Sequence, residues 1–213
     1  MGDVNVFLNM DCMEGMKQYP DKFFDLAIVD PPYGIGQDWK KRNNNRDRYP
    51  ETTYKNETVP DAAYFEELRR VSKHQIIWGY NYYTEYLGST NYLIVWDKST
   101  NGSFYSEGEI AWSSKKVPLK IFRSPWDGYR MGRETGRKKI HPHQKPIELY
   151  EWILNNYASP GDKVLDTHCG SAASLVACYN LGFDYVGFEI DEEYYRKSLK
   201  RLESIQRQSR LKV

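Results

Sequence analysis

Residues 163–191, KVLDTHCGSAASLVACYNLGFDYVGFEID, constrain the fold more than any other stretch of the chain. KVLD and YVGFEI read as short strands, and the small-residue run SAASLVACYNLG between them reads as a helix. Two strands joined through a helix pair in parallel, because the crossover returns the chain to the same end of the sheet. Such a unit directs a ligand to the carboxyl ends of its strands, beside the helix N-terminus. Asp166 ends the first strand, and Gly170, Ser171 and Ala172 form the turn. Glu189 ends the second strand, 19 residues after Gly170. That separation is close to the one at which an acid accepts hydrogen bonds from ribose hydroxyls. The turn lacks the GxGxxG pattern, and tight helix-on-strand packing alone would also require small residues. With Glu189 in place, a nucleoside ligand is expected. Asp166 can accept from the ligand's amine, cap its own turn, or do both.

The same alternation runs through the rest of the chain. VNVFLN and DLAIVD read as strands, the second nearly all apolar, as befits a strand buried on both faces. VPDAAYFEELRRVSK reads as a helix with Pro60 near its start and Phe65, Leu68 and Val71 on one side. QIIWGY and YLIVWDK are β-rich, and GEIAWSS is a weaker strand. KPIELYEWILNNYA places Ile147, Tyr150, Ile153, Leu154 and Tyr157 on one helical face, and DEEYYRKSLKRLESIQ is a last amphipathic helix. These units predict an α/β domain over residues 1–213, with a doubly wound, mostly parallel sheet. Two segments break the pattern. Residues 37–58 are polar and rich in Asn, Arg and Lys, and are expected to form a mobile loop. Residues 113–140 are basic and without clear periodicity, and are expected to form an insert.

Composition narrows the partners. The net charge is +1, but between Lys115 and Lys139 nine basic residues stand against Asp127 and Glu134. Lys115, Lys116, Arg123, Arg130, Arg133, Arg137, Lys138 and Lys139 are the candidates in this cluster for contact with a phosphate backbone. KKRNNNRDR at 40–48 forms a second basic cluster. The N-terminus lacks the apolar core of a signal peptide, and no stretch approaches a membrane span. Three cysteines without a CxxC pair suit a reducing cytoplasm. The four histidines have no cysteine or acid at zinc spacing, so no metal is expected.

The chemistry concentrates at DLAIVDPPYGIG, residues 25–36. Asp30 ends a buried strand, at the edge where α/β sites form. Pro31 and Pro32 lack N–H groups and hold the backbone stiff, and no neighbouring strand need claim the Pro31 carbonyl. Tyr33 adds a flat ring about one side chain away. A carboxylate, a carbonyl and a ring suit a planar amine, with two acceptors for its two N–H bonds and a surface to stack on. A proline-rich strand end with a solvent-facing acid explains the same four residues.

DPPY at 30–33 resembles the motif of DNA amino methyltransferases, which move a methyl group from S-adenosyl-L-methionine to an exocyclic base nitrogen. NMDCMEGMKQYPDKFFDLAIVDPPYG, IIWGYN, YLIVWDK and HPHQKPIELYEWILNNYASPGDKVLD resemble further blocks of that family, in its beta-group order. The resemblance implies a Rossmann-like fold and assigns Asp30, Pro31, Pro32 and Tyr33 to catalysis. It places Asp11 near the cofactor adenine, with Cys12 beside it, and has Lys145 and Pro146 wall the methionine pocket. Asp30, Asp166, His168, Gly170, Ser171, Ala172, Glu189 and Ile190 complete the expected cofactor contacts. The turn DTHCGSA departs from the family's D-P-F-x-G-S-G, with Thr167, His168 and Ala172 in place of Pro, Phe and the second Gly.

On this resemblance Asp30 and the Pro31 carbonyl accept the amine's N–H bonds, and Tyr33 stacks the base, flipped out of a DNA duplex. Trp126 or Tyr129 would fill the gap or read bases. An Asp at the first position leans towards adenine N6, and Ser towards cytosine N4. No Pro-Cys turn is present, which disfavours carbon-directed transfer. Cytosine N4 transfer, an RNA or protein-glutamine substrate, and a DNA-binding module with a degenerate methyltransferase fold stay open as alternatives. Double-stranded DNA is the expected partner; the resemblance also allows a homodimer and a cognate restriction endonuclease.

Overall fold

The structure, a computed structural model, describes residues 2–34, 58–100, 102, 106–127, 130–134, 136 and 138–210. The loop expected at 37–58 falls outside the described residues except for its last position, as do Tyr129 and Arg137.

Among the described residues, eight strands form one sheet: β1 (Val6–Asn9), β2 (Phe24–Val29), β3 (Ser72–Trp78), β4 (Leu93–Asp97), β5 (Gly108–Ser113), β6 (Lys120–Arg123), β7 (Lys163–Asp166) and β8 (Asp184–Glu189). The order across the sheet is β1-β8-β7-β2-β3-β5-β4-β6. Every neighbouring pair is parallel except the two that involve β5. Among the described residues, six α-helices accompany the sheet: α1 (Cys12–Met16), α2 (Ala62–Val71), α3 (Thr84–Leu87), α4 (Ile147–Tyr157), α5 (Ala173–Leu181) and α6 (Glu192–Arg210).

The apolar run of β2 divides between two cores, as a strand buried on both faces requires. Leu26 and Ile28 pack with α4, α5 and Leu202 of α6. Ala27 and Val29 pack with Met16 of α1 and with Tyr64, Phe65, Leu68 and Val71 of α2. The sheet is therefore wound on both faces, as the sequence predicts. No helix among the described residues is long and apolar enough to cross a membrane.

Local chemistry sets the helix starts. Asp11 caps α1, accepting from Met13 N–H at 2.8 Å and Glu14 N–H at 3.3 Å. Asp61 caps α2, so Pro60 lies just outside the helix. Helix α4 opens differently. Pro146 has no side-chain cap to offer, and the Ile147 N–H finds Glu134 Oε1 at 2.9 Å instead. The other Glu134 oxygen pairs with Arg201 of α6, and both side chains are buried. Glu134 thus pins the 113–140 segment to two helices. That segment is also more regular than its sequence suggests, since it contains β6 and the bridge Trp126–Met131.

Candidate active site at the carboxyl edge

Strands β7 and β2 are neighbours, yet β7 leads to β8 on one side and β2 leads to β3 on the other. Where the winding reverses, the connections part and leave a crevice at the carboxyl ends. Asp166 closes β7 and Asp30 follows β2, so both carboxylates face that crevice.

Both Asp30 oxygens are engaged. Oδ1 accepts from the Tyr33 hydroxyl, and Oδ2 accepts from Lys145 Nζ. Burial, then the adjoining Asp30 charge, push the Tyr33 phenol well above its usual range, so it stays protonated and donates. The Tyr33 ring stacks on Tyr82, with centroids 4.8 Å apart and planes 13° from parallel. The face expected from the sequence to receive a base is thus covered by a tyrosine that is itself 43% exposed. The Pro31 carbonyl is not free as expected. No strand claims it, but the buried Tyr83 hydroxyl donates to it at 2.9 Å and to the Pro32 carbonyl at 2.6 Å. Gly79 ends β3 with φ +76°, and a Cβ there would stand 2.3 Å from the Tyr33 ring.

Lys145 is the largest departure from the sequence reading. Its side chain is 5% exposed and lies on Asp30. Its ammonium also lies 3.0 Å from Glu109 Oε2, and the other Glu109 oxygen meets Lys98 Nζ at 2.6 Å. Glu109 enters the site because β5 runs against its neighbours. Ile110 meets Gly79 at the end of β3, so the residue before it projects past the carboxyl edge. Burial alone would raise the Glu109 carboxyl, but Lys145 and Lys98 outweigh it and hold it at about 2.

The β7–α5 turn gathers the remaining expected residues. Asp166 is 2% exposed; it accepts from the His168 N–H at 3.0 Å and from the Ser174 hydroxyl. Neither partner is charged, and burial lifts its carboxyl to about 7. Glu189 holds the turn from below, accepting from Gly170 N–H at 2.8 Å and Asp191 N–H at 2.9 Å. Gly170 and Ala172 both adopt left-handed backbone, with φ +49° and +54°. Alanine therefore holds a conformation that costs it roughly 1 kcal/mol relative to glycine. Ser171 is buried, and its carbonyl accepts from Arg201 at 2.9 Å. His168 hydrogen-bonds Thr167 at 2.9 Å, lies 3.9 Å from the Cys12 sulfur, and is driven by burial to about 4, hence neutral. Burial, then Asp11, push the Cys12 thiol up to about 12. Ile190 is 47% exposed just beyond Glu189.

The basic insert divides between the two edges of the sheet. Lys115 donates to the Tyr157 carbonyl at the far end of α4, a helix about 16 Å long. It and Lys116 lie beyond the Ser113 end of antiparallel β5, at the amino edge, and do not join the others. Arg123 pairs with Asp97, Arg130 with Asp127, and Arg133 with Glu148 and Glu151, all on the side of the carboxyl edge. Lys138 is exposed; Lys139 is half-buried, with its ammonium 5.2 Å from the Trp126 ring centroid.

Known proteins resemble this chain in sequence and in fold. DNA adenine methyltransferase YhdJ of Escherichia coli (strain K12) is 22% identical over 94% of this chain and 83% of its own length. The M1.HpyAVI–SAM complex superposes with a TM-score of 0.58 at 21% identity, covering 92% of this chain and 98% of that one. The cytosine-N4-specific PvuII DNA methyltransferase gives 0.60 at 14% identity, covering 97% and 91%. These two likenesses carry the fold. The DNA methylase family model for N6 and N4 methyltransferases matches residues 24–200, a span that runs from β2 with its Asp30 turn to α6, and the chain belongs to that family.

Proposed function

We propose that this DNA methyltransferase transfers a methyl group from S-adenosyl-L-methionine to the N6 amine of adenine, flipped out of duplex DNA. One observation carries the reading: two carboxylates, Asp30 and Asp166, face a single crevice from adjacent strands, and only Asp30 has a cation on it. The residues present suit the cofactor. It brings a sulfonium and an ammonium, and Asp166 is a buried acid whose partners are a hydroxyl and an amide. Glu189 keeps acceptor capacity for the ribose hydroxyls beyond its two backbone bonds. Exposed Ile190 offers an apolar surface for the adenine ring, beside Cys12 and Asp11. When bound, the cofactor supplies the electrophilic methyl.

The chain's own residues do the rest. The target amine takes the place of the Tyr33 hydroxyl at Asp30 Oδ1, which turns the nitrogen lone pair towards the methyl. The carboxylate then stabilises the positive charge that grows on nitrogen as its bond to the methyl carbon forms and the carbon–sulfur bond breaks. A neutral thioether is the leaving group, and the surplus N–H proton passes by way of Asp30 to solvent. Tyr82 marks the stacking face that the base takes on Tyr33. Arg123, Arg130 and Arg133 exchange their surface carboxylates for phosphates, a low-cost exchange because exposed pairs contribute about 0–1 kcal/mol each. Aspartate rather than serine at position 30 favours adenine. The PvuII likeness supports cytosine N4 as the second reading.

The test is transfer of labelled methyl to duplex DNA, followed by digestion to nucleosides and mass spectrometry. N6-methyladenine is expected, and N4-methylcytosine would select the second reading. Cofactor binding without labelled DNA, or preference for RNA or a peptide glutamine in competition, would overturn both. Glu189→Gln is expected to raise the cofactor Kd about 10- to 100-fold, the loss of one charged hydrogen-bond acceptor. Calorimetry checks this, and unchanged affinity would place the ribose elsewhere.

A further inference from the structure

We propose that Lys145 and Glu109 are a positioning pair for Asp30: Lys145 is the cation that lets two carboxylates stand together at the head of β2, and Glu109 fixes where that cation sits. This rests on the reading of Asp30 as the acceptor for the target amine. The geometry sets the roles. The Lys145 ammonium is shared between Asp30 Oδ2 and Glu109 Oε2, the latter at 3.0 Å. Its other sides meet ring faces, with the Trp78 centroid at 5.4 Å and the Tyr33 centroid at 5.9 Å. Lys98, 2.6 Å from the second Glu109 oxygen, holds Glu109 from behind. Pro146, itself extended, disfavours helical backbone at the residue before it, which restricts the stem from which the Lys145 side chain departs.

This arrangement leaves Asp30 Oδ1 as the exchangeable corner. Oδ2 is committed to a buried ammonium that a second acid keeps from moving. Among the described residues Oδ1 is held by Tyr33 alone, the group an incoming amine displaces. Lys145 therefore acts through Asp30, beside the reacting nitrogen.

Other titratable groups face the cluster. Tyr83 comes from the segment before α3, Tyr150 from α4, Asp166 and His168 from the β7–α5 turn, and His141 and Lys139 from the segment before α4. Burial pushes the two tyrosines up and the two histidines down to about 3 and 4, so these stay neutral near pH 7. Asp166, at about 7, titrates within an assay window, but it is common to every variant compared.

Without the Lys145 ammonium, Asp30 and Glu109 face each other as partly buried like charges, with Lys98 left on the far Glu109 oxygen, and proton uptake by one of them becomes easier. Single-turnover methyl transfer is therefore measured against pH for the wild type, Lys145→Met, Glu109→Gln and the double variant. Lys145→Met is expected to move the acid limb up by about one pH unit or more, slowing transfer about tenfold or more near neutrality. Its cofactor Kd by calorimetry stays within about twofold, as a group that acts on the base-side acceptor requires. Glu109→Gln alone removes the competing acid, and its limb is expected not to rise. Adding Glu109→Gln to Lys145→Met is expected to bring the limb back towards wild type and to restore rate.

A limb that Lys145→Met leaves in place, a double variant no faster than Lys145→Met, or cofactor affinity lost in step with rate would each overturn the proposal. Should Lys145→Met fail to fold, the double variant decides. A limb near wild type supports the pair, and a limb raised by about one pH unit without Glu109 overturns it. Asp30→Asn in the same series separates the two claims: if it retains transfer, the reading of Asp30 fails; if it loses transfer while Lys145→Met keeps its limb, only the pairing fails.

Discussion

Asp30→Asn is expected to slow methyl transfer by about 10²–10³-fold while leaving cofactor affinity within about twofold, the effect of removing one preorganised electrostatic group from a reacting centre. The substitution is nearly isosteric, so the β2 turn, stiffened by Pro31 and Pro32 and tied down by Tyr83, has no reason to move. What changes is charge. A neutral amide at position 30 keeps one acceptor oxygen but no longer stabilises positive charge on the substrate nitrogen. It also leaves Lys145 with Glu109 as its anionic partner. Single-turnover kinetics and calorimetry separate the two quantities. Equal loss of transfer and of cofactor affinity would mean that Asp30 serves the cofactor, and retained transfer would mean that another acceptor positions the amine.

Glu134→Ala is expected to lower the stability of the fold by about 3–5 kcal/mol, the cost of removing one member of a largely buried ion pair. The Glu134–Arg201 side chains are 6% and 14% exposed, so solvent cannot stand in for the lost carboxylate. The same substitution strips the Ile147 N–H of its acceptor at the start of α4 and removes the partner of Gln144, 3.3 Å away. Denaturant titration measures the change, and a loss below about 1 kcal/mol would show the pair to be a surface pair in practice. Because Arg201 also supports the Ser171 carbonyl, the cofactor turn is expected to loosen with it.

The parts of this molecule that were legible from sequence are those encoded locally. Asp30 and Glu189 stood out because each terminates an apolar run, and a strand end in a parallel sheet is where a site forms. The two-faced burial of β2 follows from its unbroken hydrophobic stretch. What was not legible depends on register between distant segments. Glu109 looked like one polar residue in a weak strand; its reach into the site comes from the antiparallel course of β5, which no residue in GEIAWSS announces. The family resemblance of its Lys-Pro pair places Lys145 at the methionine pocket, and its contact with Asp30 spans 115 positions. Strand β6 escaped notice because it is four residues long and half exposed at the sheet edge. Helix α1 also went unread: the resemblance places Asp11 only near the cofactor adenine, and its capping of a five-residue helix appears only in the structure.

Reversal of β5 also divides the two neighbouring connections by function. Strand β4 ends at Asp97 and β5 begins at Gly108 on the side of the candidate site, whereas the link from Ser114 to Leu119 emerges on the opposite side of the sheet. Extra length grafted into the first adds reach towards a bound duplex; length grafted into the second hangs below, out of contact with the chemistry. One fold thereby offers a place to vary sequence preference and another to carry cargo, and the direction of a single six-residue strand keeps them apart.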